Sequence, residues 1–280
     1  MRNRLNVKNI LIATHEEGDG STSSALAYGL SMAKAADGHL MVQAGSVKLD
    51  LPSGRTSALV GAMVSAENHR LRDLVSATSG HARADAAMAG VLCDTDETQL
   101  TYAELKARAI AQSRVADITV VDADPSALTV DGGLLRALLF EGGRGMVVVP
   151  KGFERFDINR AVIAWDGSAA ASRAVAAATP FLEAAEEVEV VCFVGEKELP
   201  KSAAGADLAA ALGRRGVNVV AKELATRGAV AERLREQAMF FGADMIVMGA
   251  FVHSPIREWL FGGVTQSMLE ATPVPLLMAR

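Results

Sequence analysis

The sequence predicts an α/β protein of two repeated, doubly wound domains, each with a mainly parallel five-stranded sheet. Three observations lead there. Short apolar runs such as Ile10-Leu11-Ile12-Ala13 and Met245-Ile246-Val247-Met248 do not alternate with polar residues, as strands buried on both faces require. Helical patterns separate these runs, which implies βαβ crossovers. The order also repeats. Lys8–Ala13 parallels Arg160–Trp165, each followed by Asp-Gly-Ser at Asp19–Ser21 and Asp166–Ser168; Asp117–Val121 parallels Asp244–Met248, and Met146–Pro150 parallels Pro275–Ala279. The boundaries that follow are residues 1–151 and 158–280, joined near 151–159.

In the first half the runs predict strands at 10–14, 40–44, 89–93, 118–121 and 146–149. Helices are expected at 23–36, in a long region between 54 and 79, at 102–114 and at 134–142, with Asp37-Gly38 and Gly142-Gly143 as stops. The second half predicts strands at 161–165, 188–194, 217–222, 245–248 and 276–278, and helices at 170–185, 203–214, 229–241 and 264–271, with Gly216 and Gly242 ending the middle two. Extra length at 48–85 reads as a longer surface helix pair, with a lid or partner-binding face as the alternative.

Composition bounds the function. The chain has 280 residues, half of them hydrophobic, and a net charge of −5, which excludes nucleic acid as the default partner. No apolar run reaches the roughly 18 residues of a membrane span, and the run after the basic N-terminus is too short for a signal peptide. Cys93 and Cys192 form no C-x-x-C pair and lie in apolar runs, so both read as buried, reduced thiols of a cytoplasmic protein.

The strand–Asp-Gly-Ser–helix opening at 161–172, the loop Gly249–Thr265 and the closing Ala271-Thr272-Pro273-Val274-Pro275-Leu276-Leu277 together resemble the universal stress protein family in its tandem two-domain form. The resemblance implies an adenine nucleotide alpha hydrolase-like fold, with ATP or a related adenine nucleotide, and magnesium with it, bound by the second half. ATP-binding members carry Gly, two residues, Gly, nine residues, Gly and a hydroxyl residue. Here the spacing runs Gly249, Val252, Gly262, Gly263. Val252 replaces a glycine with a β-branched residue that resists positive φ, and Gly263 lacks the hydroxyl. The first half reads Asp122-Ala123-Asp124-Pro125 after its strand, with acidic groups where phosphate would sit.

The residues the resemblance places at a nucleotide are Ala164, Asp166, Phe193, Gly249, Val252, His253, Gly262, Gly263, Val264 and Thr265. Each has a plainer reading. Asp166 suits a helix N-cap, Phe193 a core strand, the glycines a turn, and His253 and Arg257 a solvated loop. Asp19 reads as a turn residue, and Trp259-Leu260-Phe261 as a packing plug. No metal-ligand spacing, nucleophile–base pair or Walker A loop is present. The sequence therefore points to a binding and signalling module without catalytic residues, any ATP hydrolysis being slow. The alternatives are an interaction module that binds no nucleotide and acts through a protein partner or another small ligand, and a nucleotide-using enzyme of the wider fold group. In tandem relatives the sheets meet through their last strands, so 146–150 and 274–278 are the candidate edges of an internal pseudo-dimer. Two chains could pair further into a homodimer.

Overall fold

The computed structural model describes residues 5–15, 23–50, 58–123, 133–194, 205–225, 228–250 and 262–280. Asp19, Asp124-Pro125, Val252, His253, Arg257 and Trp259–Phe261 lie outside them. The first half runs β1 (Asn9–His15), α1 (Ser24–Ala36), β2 (His39–Val47), α2 (Ala58–Ala89), β3 (Leu92–Asp96), β4 (Gln99–Leu100), α3 (Tyr102–Ser113), β5 (Ile118–Asp122), α4 (Leu134–Glu141) and β6 (Gly145–Val149). The second runs β7 (Arg160–Ala164), α5 (Ala169–Ala184), β8 (Glu187–Val194), α6 (Gly205–Gly213), β9 (Val219–Ala225), α7 (Val230–Phe241), β10 (Met245–Gly249), α8 (Gly263–Glu270) and β11 (Leu276–Ala279).

Among the described residues the strands make one sheet in the order β3-β2-β1-β5-β6-β11-β10-β7-β8-β9, with β4 beside β2. Neighbours run parallel except β6 and β11, which are antiparallel with Val148 opposite Leu276 and Met146 opposite Met278. The two halves thus have the same strand order outward from their shared seam. They also share an anchor at the amino ends of two neighbouring strands, β1 and β5 in one half and β7 and β10 in the other. Asp117 Oδ2 accepts from the amides of Lys8 and Asn9 at 2.8 and 2.9 Å; Asp244 Oδ2 accepts from Asn159 and Arg160 at 2.7 and 2.9 Å.

One core lies on each face. Ile10, Ile12, Ala161 and Ile163 point to the layer with Tyr28 of α1 and Phe181 of α5. Val162, Ile246 and Met248 point to the layer with Leu234 of α7 and Met268 of α8. Phe156, in the connector, meets both Tyr28 and Phe181 edge-on, at 5.6 and 6.0 Å between ring centres. With Phe156 and Ile158 buried, the connector is part of the core and not a free linker.

Several expectations need correction. Among the described residues the region at 48–85 holds one helix, which runs on past it as Ala58–Ala89 (32 residues), and not a helix pair. Its alanine-rich end carries it through Ala89 until Gly90 turns at φ +72°, so the third strand starts at Leu92 instead of 89. The strand expected at 217–222 is Val219–Ala225, and β4 has no counterpart in the sequence reading. After α1 the left-handed residue is Asp37 (φ 49°), not Gly38. Gly38 is needed for space: a Cβ there would stand 3.0 Å from the Val7 carbonyl oxygen. Cys192 is buried, but Cys93 is only partly so, and both are unpaired. Among the described residues no helix is long and apolar enough to cross a membrane.

Candidate functional site

In the second half β7 lies between β8 and β10, so the chain leaves β7 to one side and returns to its other side. Such a switch point opens a crevice at the carboxyl ends of the strands. A cavity of about 650 Å³ occupies it. Ala164, Trp165 and Asp166 come from the end of β7, Phe193 from β8, and Met248 and Gly249 from β10. The starts of α7 (Ala229–Ala231) and α8 (Gly262–Thr265) form the remaining wall, with Leu234 and Ser267.

Eight of the ten residues singled out in the sequence line this cavity; Val252 and His253 lie outside the described residues. Trp165, Met248, Ser267 and the α7 residues were missed. Trp165 and Met248 adjoin Asp166 and Gly249, and the α7 start comes soon after the carboxyl end of β9 at Ala225, so neighbourhood and topology were the available signals.

The local structure follows from the sequence. Asp166 does not cap α5. Its Oδ1 accepts from Ser168 N at 3.0 Å, while Ser168 Oγ caps the helix by accepting from Ala171 N at 3.1 Å. Asp166 itself stays exposed at the mouth. Gly249 is glycine because of α5: a Cβ there would lie 2.4 Å from Ala171 N. Gly262 has φ −60° and ψ 149°, an ordinary extended conformation, and a Cβ on Gly263 would meet nothing within 4 Å. Neither is demanded by backbone geometry of the kind that requires glycine.

α7 and α8 are held so that both first turns face the cavity. Gln237 Nε2 donates to the buried Glu189 Oε2 at 2.6 Å, tying α7 to β8, and Glu189 also pairs with Lys222. From α7, Arg235 Nη1 donates to the Ser267 carbonyl at 3.0 Å, near the end of α8. A cation there suits the negative end of the helix dipole. At their other ends neither helix has a side-chain cap: the N-cap positions are Ala229 and Gly262. Uncapped amides leave hydrogen-bond donors and partial positive charge.

This arrangement can take a small ligand that has an apolar ring and an anionic group. The volume falls in the range of roughly 300–1,000 Å³ usual for small-ligand sites. Trp165, Phe193, Val230, Leu234 and Met248 give apolar walls for a base, Asp166 can accept from hydroxyl groups, and the helix starts can donate to phosphate. No group of three or more His, Cys, Asp or Glu side chains comes together among the described residues.

The first half differs at the matching place. Asp122, at the position of Gly249, accepts from Ser23 Oγ at 2.6 Å and from Ala25 N at 2.8 Å. Its carboxylate lies on the start of α1.

The sequence model of the universal stress protein family matches residues 158–280. These residues form a universal stress protein domain. The cavity and all eight of its sequence-predicted residues lie within this domain. No curated protein matches the chain in sequence. Among solved structures, a universal stress protein from Archaeoglobus fulgidus DSM 4304 is 15% identical, with 99% of this chain and 98% of that chain covered and a TM-score of 0.66. A functionally unknown protein from Pseudomonas aeruginosa PAO1 is 12% identical, with 98% and 93% covered and a TM-score of 0.55. At these identities the likeness shows the fold alone. It spans the universal stress protein domain and the half before it.

Proposed function

We propose that the chain is a stress-response binding and signalling module of two universal stress protein-like units, residues 1–151 and 158–280, and that the second unit holds ATP or a related adenine nucleotide. The observation that carries this reading is the pair of uncapped helix starts, α7 and α8, on one apolar cavity beside Asp166. The equal strand order and the matched Asp117 and Asp244 anchors support two copies of one unit. The unpaired cysteines suit a reducing, cytoplasmic setting.

Within the second unit, apolar side chains bind the base, Asp166 orients the sugar, and the amides at Gly262–Thr265 hold phosphate. The Gly263 position supplies an amide without a hydroxyl. The nucleotide supplies charge that fills the helix starts, and the module responds by binding instead of by chemistry. Calorimetry with ATP tests this: binding in the micromolar range or tighter, lost in Gly262→Val, is expected. No heat of binding at millimolar ATP overturns it.

Gly263 and the carboxylate of Asp122 favour a second reading, an interaction module that takes a protein partner and no nucleotide. Absent ATP binding, with an unchanged fold in Gly262→Val, would select it.

A further inference from the structure

A buried carboxylate stands behind the cavity without reaching it. Glu189 is 4% exposed. It lies on β8 with Val191 and Phe193, and alternate strand residues share one face. Phe193 lines the cavity. Glu189 sits four residues before it, about 13 Å away at 3.3 Å per residue, too far to touch a ligand there. Its two oxygens have different partners. Oε2 accepts from Gln237 Nε2 of α7 at 2.6 Å, and Oε1 pairs with Lys222 Nζ of β9. Lys222 Nζ also lies 6.0 Å from the ring centre of Phe240, close enough for a cation–π contact. Two side chains of α7 thus converge on one ion pair.

Burying such a pair is a poor way to gain stability, because apolar residues of the same volume often serve as well or better. What the pair adds is direction. The buried residues of α7 are Ala231, Leu234 and Ala238, and the methyl contacts of two alanines depend little on how the helix is turned. Its carboxyl end is fastened by the turn at Gly242, where Ala243 N donates to the Ala238 carbonyl at 2.9 Å. Its amino end has no side-chain cap, and that end supplies Ala229, Val230, Ala231 and Leu234 to the cavity wall. A hydrogen bond is directional. Gln237 adjoins Ala238 and is three residues from Leu234, so its bond to Glu189 fixes which residues of α7 face the cavity. Arg235 joins α7 to the Ser267 carbonyl of α8, so what fixes α7 also bears on α8.

We infer that Glu189 is a positioning residue for the ligand: through Gln237 it sets the rotation and depth of α7 on the sheet, and with them the shape of the cavity wall. The inference rests on the nucleotide reading for what the cavity takes, but not for how α7 is held.

Glu189→Leu separates this role from a merely structural one. Its thermal midpoint should stay level or rise, because leucine fills the apolar layer and the partly exposed Lys222 can turn to water. ATP affinity by calorimetry should fall about tenfold, the worth of one hydrogen bond to a charged group. Without ligand, the amides of residues 233–237 should exchange hydrogen faster than in the unaltered chain. Gln237→Met, which leaves the Glu189–Lys222 pair in place, should lose the same affinity. Glu189→Gln keeps an acceptor for Gln237 and should behave as the unaltered chain. Affinity or exchange unchanged in both Glu189→Leu and Gln237→Met overturns the inference. So does a lowered midpoint shared by Glu189→Leu and Glu189→Gln, which marks the pair as structural. If the unaltered chain gives no heat with ATP, the nucleotide reading falls, and the exchange of residues 233–237 alone upholds or overturns the positioning of α7.

Discussion

The ends of β5 and β10 occupy the same place in their halves and meet opposite fates. In the first half the strand ends in Asp122, whose carboxylate satisfies Ala25 N and Ser23 Oγ at the start of α1. In the second it ends in Gly249, whose backbone lies so close to α5 that no side chain fits. Both solutions join a strand end to the helix that follows the neighbouring strand, α1 after β1 and α5 after β7. One does so with an internal anion; the other does so by close contact and keeps the crevice clear. In the first half the carboxylate of Asp122 thus does structural work, holding the first turn of α1.

This contrast can be broken experimentally. Gly249→Asp, which brings the first-half residue into the second, should have the largest effect. With a Cβ 2.4 Å from Ala171 N, it should cost about 3 kcal/mol or more by overpacking and abolish nucleotide binding, read from the urea midpoint and calorimetry. Next come the caps. Ser23→Ala loses both the bond to Leu26 N and the bond to Asp122, so about 2 kcal/mol is expected; Ser168→Ala loses only the cap on Ala171 N, about 1 kcal/mol. Equal costs would show that the bond from Ser23 Oγ to Asp122 adds no stability. Asp117→Ala and Asp244→Ala should each cost about 1–2 kcal/mol. Denaturation midpoints differing by more than the error would break the equivalence of the two anchors. The smallest stability change belongs to Gly263→Ser, within about 0.5 kcal/mol, because its Cβ has open space. Its added hydroxyl should raise nucleotide affinity about tenfold, the worth of a hydrogen bond to a charged group, measured by titration with ATP.

Much of this was legible in the chain itself. Non-alternating runs located nearly every strand, and the repeat placed β6 and β11 in matching positions. The errors arose where one residue type serves two purposes. Alanine-rich sequence before Gly90 sustains a helix as well as it suggests a buried strand, so α2 ran ten residues past its expected end. Gly249 fitted a ligand frame by spacing, but the structure gives it a packing reason. A sequence does not distinguish a glycine that admits a helix from one that admits a phosphate. The α7 contribution carried no motif: Ala229, Val230 and Ala231 matter through their backbone and position, and almost any small or apolar residues would serve. Helix caps were easier to read, although the cap of α5 lies two residues beyond the aspartate that first suggests it.

The antiparallel seam has a consequence for synthesis. β6 pairs with β5 on one side and β11 on the other, and more than a hundred residues separate the two partners of the seam. While the ribosome is still making the second half, Gly145–Val149 has an open edge of uncharged, strongly β-forming sequence, the kind that recruits strands from other chains. Only β11 closes it. Translation speed through the second half, and any chaperone that shields the nascent first half, therefore bear on yield, as does the stability of the finished protein.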